Sequence, residues 1–220
     1  MKSGETKKSG VNRVVRYFIF SDLFFVGGWG LINPIFAIFI VDEVSGATVA
    51  TVGFAAAVYW ILKAAFQIPI GFFLDKNEGE KDDFYTLVTG LVVASVTAFL
   101  FITIDKVWEL LVLQAFHALG FALYTPAWNA IFTRHLDKNH YALDWSLDST
   151  IAAFAAGFSG AIGGWIAATY GFHYIFIGAS ALTMIAAIII FVLPDIVLPK
   201  APANRVELPP KDHRPHLFGS

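Results

Sequence analysis

Apolar residues in this chain neither alternate nor recur every third or fourth position; they run on. Residues 14–41, 48–74, 84–104, 107–133, 143–170 and 174–193 form six stretches that are almost wholly apolar. Each reaches the ~20 residues a helix needs to cross the hydrocarbon layer of a bilayer. Barrel strands are about half as long and alternate in polarity, and lipid leaves no other way to satisfy a spanning backbone. The pattern therefore predicts an all-α membrane protein, a six transmembrane helix bundle. The first stretch is too long for a secretory signal and lacks a small-residue cleavage site, so it belongs to the mature protein. The connections are short, which makes consecutive helices antiparallel neighbours. Polar, basic residues 1–13 read as an N-terminal tail, 14–194 as the membrane domain, and 195–220 as a solvated tail rich in proline. That tail, ending Leu217-Phe218-Gly219-Ser220, contains no seventh span.

Composition supports this reading and adds sidedness. Hydrophobic residues make up 57% of the chain and charged residues 15%, against roughly a quarter charged in a soluble domain. There is no cysteine, which removes disulfide and thiolate-metal chemistry. All Lys and Arg residues except Lys63 and Lys106 fall in the tails, the first turn of span one, or the second and fourth loops. By the positive-inside rule both termini are cytoplasmic, and an even number of spans requires both ends on one side. The expectation is an integral multi-pass protein of an inner or plasma membrane, without affinity for nucleic acid.

The spans differ in kind. The third and sixth are bland and suit lipid-facing support. The fifth carries Ala152, Ala153, Ala155, Ala156, Gly157, Ser159, Gly160, Ala161, Gly163 and Gly164. Small residues let helices approach closely in lipid, so this helix is expected to be gripped by neighbours or pressed against a partner chain. In the first span, Gly27-Gly28-Trp29-Gly30 and Asn33-Pro34 should bend or loosen the helix.

The second loop reads Gly71-Phe-Phe-Leu-Asp75-Lys76-Asn-Glu-Gly79 and resembles the signature of the major facilitator superfamily. Gly71, Asp75, Lys76 and Gly79 match it. Glu80, Lys81, Asp82 and Asp83 stand where further basic residues are usual. Ala118-Leu-Gly120 through Tyr124-Thr-Pro126-Ala resembles the family's fourth helix, and Phe158-Ser-Gly-Ala-Ile-Gly163-Gly164 its fifth. Tyr170-Gly171-Phe-His-Tyr-Ile-Phe176 is similar to the entry of the sixth. Family members normally carry twice as many spans, so the resemblance implies an N-terminal half. It also implies a cytoplasmic latch built on Gly71, Asp75, Lys76 and Gly79, to which Arg134 and Asp144 are natural additions. Asp144 reads as a member of that ion-pair cluster.

Ionisable groups inside a membrane are costly and mark candidate sites. Lys63 lies about 18 Å along its helix from Asp75, at 1.5 Å per residue, near mid-membrane. It shares a face with Tyr59, Phe66 and Gln67. It would attract an anionic group, snorkel, or pair permanently with Asp22. Asp22 and Asp148 are candidates for proton coupling, because burial and a nearby charge move a carboxyl in opposite directions; an ion pair of Asp22 with Lys63 is the other reading. His117 could titrate or stay neutral and hydrogen-bonded. Trp29 and Trp60 fall within spans beside Asn33 and Lys63, as core packing or as flat walls for a solute.

These observations lead to a secondary transporter of a small polar organic solute, a sugar or a drug-like ion. It would be proton-coupled and would work by alternating access as a parallel homodimer, whose shared cavity Asp22, Asn33, Lys63, Gln67, His117 and Trp29 would line twice. The other class is a non-transporting scaffold, or a half that needs a different partner half. No nucleophile–base pair, metal-spaced cluster or phosphate loop is present, so neither an enzyme nor a cofactor or metal site is expected.

Overall fold

The computed structural model describes residues 12–76, 80–137 and 140–192. Gly79 and both tails beyond these limits lie outside the described residues. The chain forms α1 (Arg13–Ile32), α2 (Phe36–Glu43), α3 (Val49–Lys76), α4 (Lys81–Leu100), α5 (Val107–His135), α6 (Tyr141–Tyr170) and α7 (Phe172–Phe191). All but the short α2 are long and apolar enough to cross a membrane, which makes six spans among the described residues.

The first apolar stretch is two helices rather than one. Pro34 has no N–H to continue the ladder, so α1 closes with the Asn33 N–H on the Trp29 carbonyl at 2.9 Å. The ladder restarts with the Phe39 N–H on Ile35 at 3.0 Å. α1 itself begins where the Asn12 side chain accepts the Val14 N–H at 3.0 Å. Asp82 and Asp83 occupy the first turn of α4, where the helix dipole favours negative charge. Helices α6 and α7 are separated by Gly171 alone, at φ +91°, a left-handed conformation that favours glycine. Away from the helices, Ser45 donates its N–H to the Asp105 carbonyl at 2.8 Å, tying the loops that precede α3 and α5.

In cross-section the helices form an arc. α1 packs between α6 and α7, α4 between α7 and α5, and α3 lies on α5. The ends of the arc are α3 and α6, and they are the least buried spans. Of the most apolar eighteen-residue window, 6% is buried in α3 and 17% in α6, against 67% in α1. This corrects the expectation for the bland spans. α4 and α7 do present Val92, Val96, Ile177 and Ile185 outward, yet they also bury Leu87, Leu91, Phe176 and Ala186 as staves of the arc. Ser21 and Ser95 fasten α1 and α4 to α7 by donating to the carbonyls of Ala186 (3.2 Å) and Ser180 (2.8 Å).

The small-residue face of α6 is only partly used within the chain. A Cβ on Gly163 would stand 2.3 Å from the Leu31 carbonyl oxygen, so α1 and α6 cross there in backbone contact. Gly157 and Gly164 have open space around them. One side of α6 is gripped by α1; the other carries exposed Phe154, Phe158 and Trp165.

Candidate functional site

Three polar centres lie inside the arc or at the end of it where α3 finishes and α4 begins. The first is built on α3 and α5. On α5, His117, Phe121, Tyr124 and Trp128 follow one another at helical spacing and form one aromatic stripe. Trp29 of α1 stacks on His117 with ring centroids 4.1 Å apart and planes 4° from parallel. Tyr59 of α3 meets His117 from its own side at 4.2 Å, and the His117 Nδ1 lies 2.9 Å from the Gln114 Oε1. Lys63, one turn further along α3, rests its ammonium 5.3 Å from the Trp60 ring and 5.6 Å from the Phe121 ring. Contacts of this kind favour the charged ammonium.

Lys63 opens onto a groove of about 650 Å³ between α3 and α5, which Trp60, Gln67, Gly71, Asp75, Pro126 and Asn129 also line. Ligand sites usually occupy clefts of ~300–1,000 Å³. Asn33 does not take part; it is exposed at the break after α1.

The second centre joins α1, α5 and α6. Asp22 is buried, and its carboxylate accepts the Tyr124 hydroxyl. Asp148 is buried beside them, within Coulombic reach of both Asp22 and Tyr124. Its Oδ1 has no hydrogen-bond partner. Phe25 packs on the Tyr124 ring at 4.1 Å. A permanent Lys63–Asp22 pair is not formed: Asp22 turns to Tyr124, and Lys63 turns to the two rings.

The third centre sits at the end of the bundle where α3 finishes and α4 begins, and differs from the expected latch. Arg134 pairs with Asp83, whose side chain is 1% exposed, rather than with Asp75 or Asp144. The His135 Nδ1 stands 3.6 Å from Glu80. Burial pushes the Glu80 carboxyl above its usual 4.5, while His135 and then Arg134 pull it back. Asp144 is fully buried but joins no ion pair among the described residues. It accepts the Asp137 N–H at 2.9 Å, while Asp137 accepts the Asn12 N–H at 2.7 Å. Asp144 thus holds the α5–α6 connection at the Asp137 N–H, and the Asp137 carboxylate carries it to the start of α1. Gly71 and Asp75 line the groove toward the C-terminal end of α3, beside Arg134, and Lys76 is exposed.

Tyr124 and Phe121 were not singled out from sequence, though the aromatic spacing on α5 was a usable signal. Asp83 and Glu80 looked like departures from a basic motif; they are instead the acids that Arg134 and His135 face.

Taken together, six membrane-length helices among the described residues and a buried polar interior define an integral multi-pass membrane protein. The family model of the Major Facilitator Superfamily matches residues 18–219, and the chain belongs to that family. Its fold is similar to the one in the in meso crystal structure of the POT family transporter PepTSo, with a TM-score of 0.67 at 15% identity. The match covers 88% of this chain and 39% of that one, so the chain spans about two fifths of that transporter's length. No curated protein matches the chain.

Proposed function

We propose that this chain is one half of a proton-coupled secondary transporter for a small polar organic solute. The observation that carries the reading is the pairing of an open polar groove at Lys63 with the buried Asp22–Tyr124–Asp148 cluster. Both adjoin the α5 aromatic stripe, so a rearrangement of α5 moves both. The two carboxylates repel one another when both are charged, and the Tyr124 hydroxyl offsets this only at Asp22. A single proton held by the pair removes that repulsion and frees α1, α5 and α6 to repack. Solute at the groove and proton at the cluster then bias the same helices, and coupling requires such a shared element.

The second half is a parallel copy of this chain. Halves of such transporters repeat about an axis along the membrane normal, with solute between them. α3 and α6, the open ends of the arc, supply the docking faces. Gly157 and Gly164 leave room for close approach, and Phe154, Phe158 and Trp165 supply contact area. In the dimer the groove faces its counterpart, and rocking of one copy against the other exposes it alternately. Both termini are cytoplasmic, in an inner or plasma membrane.

Because the sequence contains no cysteine, a cysteine at Gly157 of α6 combined with one at exposed Ile61, at matching depth on the α3 that docks against it in the other copy, is a clean cross-linking probe. An oxidant should convert the membrane-embedded variant to a covalent dimer, while a cysteine on the outward face of α4, at Val96, should stay monomeric. Equal cross-linking in both variants would remove the parallel homodimer. For coupling, Asp22→Asn should abolish proton-driven uptake and leave counterflow exchange; retained proton-driven uptake would refute the role of Asp22.

A further inference from the structure

Resting on the transporter reading, we infer that the Lys63 groove selects an organic anion with a flat aromatic body, rather than a sugar or a cation. Lys63 is half-buried at mid-span, yet among the described residues its ammonium meets neither a carboxylate nor a hydrogen-bond acceptor. Trp60 and Phe121 hold it by their ring faces instead. A ring face sustains the charge of an ammonium without neutralising it, and the three N–H donors remain available. A buried carboxylate partner would have cancelled that charge.

The acids of the interior are committed elsewhere. Asp22 holds the Tyr124 hydroxyl, with Asp148 beside it. Asp75, the carboxylate that lines the groove, lies twelve residues along α3, about 18 Å away at 1.5 Å per residue. The solute end of the groove is therefore uncompensated positive charge beside an exposed indole. That combination attracts a carboxylate or sulfonate and stacks the ring that carries it. A sugar would leave the ammonium without a counter-charge, and an organic cation would meet it head-on.

The test is calorimetric titration of the full chain in lipid nanodiscs with three probes of one shape: naphthalene-2-sulfonate, 2-naphthalenemethanol and 2-naphthylmethylammonium. The readout is the difference between the wild type and Lys63→Gln, so partition into lipid cancels. The sulfonate should bind the wild type at least about tenfold more tightly than either other probe. Lys63→Gln should lose that preference and Lys63→Arg should keep it, with circular dichroism confirming that both variants are folded. Equal binding of the three probes, tighter binding of the ammonium, sulfonate binding unaffected by Lys63→Gln, or no binding of the sulfonate would each overturn the inference. Binding requires no turnover, so the outcome separates from the transporter reading. Lys63-dependent sulfonate binding without flux of any solute would sink transport and leave the site. Flux of a sugar or a cation alone would sink the site and leave transport.

Discussion

Replacing Gly163 with alanine tests whether the α1–α6 crossing is part of the fold of a single copy. The new Cβ would lie 2.3 Å from the Leu31 carbonyl oxygen, 2.9 Å from its Cα and 3.0 Å from its carbonyl carbon. All three are backbone atoms of α1, so no side-chain rotation relieves the contact and the helices must separate. Overpacking of this kind costs about 3 kcal/mol at its upper end. Alanine recovers about 1 kcal/mol through its better helix propensity, which leaves about 2 kcal/mol of destabilisation. At about 2–4 °C per kcal/mol for a chain of this size, Gly163→Ala should lower the melting temperature by about 4–8 °C in detergent. Gly164→Ala, one position along, meets nothing within 4 Å and should leave the melting temperature unchanged or slightly higher. The assay is a thermal unfolding scan of the two variants beside the wild type. An unchanged Gly163→Ala, or an equal fall in both, would refute the close crossing.

Other outcomes follow from the same geometry. Tyr124→Phe removes the hydroxyl that Asp22 accepts, a charge-assisted bond worth about 1.5–3 kcal/mol. It should shift the pH profile of uptake, and an unaltered profile would separate Tyr124 from coupling. Arg134→Ala leaves the Asp83 carboxylate buried and alone, so it should destabilise the protein more than the Arg134→Ala/Asp83→Ala double variant; a double variant no more stable than the single would count against the pair. Glu80 has a folded-state value above its unfolded 4.5. Its contribution to stability is therefore complete below pH 4.5 and is lost as pH rises through the folded value. Glu80→Gln should flatten the corresponding fall in melting temperature, and a slope that persists in that variant would rule Glu80 out as its source.

The number of spans was legible in the sequence because apolar length alone decides it. A bend at Pro34 was legible because proline removes a specific hydrogen bond, but the split into two separate helices was not. Burial was not. Small residues on α6 and aliphatic residues on α4 and α7 look alike whether they face lipid or protein, since both environments are apolar. Only the crossing partners, such as Leu31 over Gly163, distinguish them. At the site, Lys63 and Asp22 stood out because charge within a span is rare. Trp60 stood out beside Lys63, but the other partners did not: Tyr124 and Phe121 belong to another helix far away in sequence, and an aromatic ring that holds an ammonium carries no charge signature. The ion pairs where α3 finishes and α4 begins were misassigned for a related reason. Arg134 is near Asp144 in the chain, but α4 and α5 pack against each other, which brings Asp83 to it instead.

Proteoliposomes containing only this chain, loaded with a pH-sensitive dye, measure proton movement driven by added solute. When they are challenged in turn with aromatic sulfonates and carboxylates, sugars and organic cations, at least one solute should drive protons across the membrane. That response should vanish in Asp22→Asn. No solute-driven proton movement with any member of the series, or an undiminished response in Asp22→Asn, would contradict a proton-coupled transporter assembled from this chain alone.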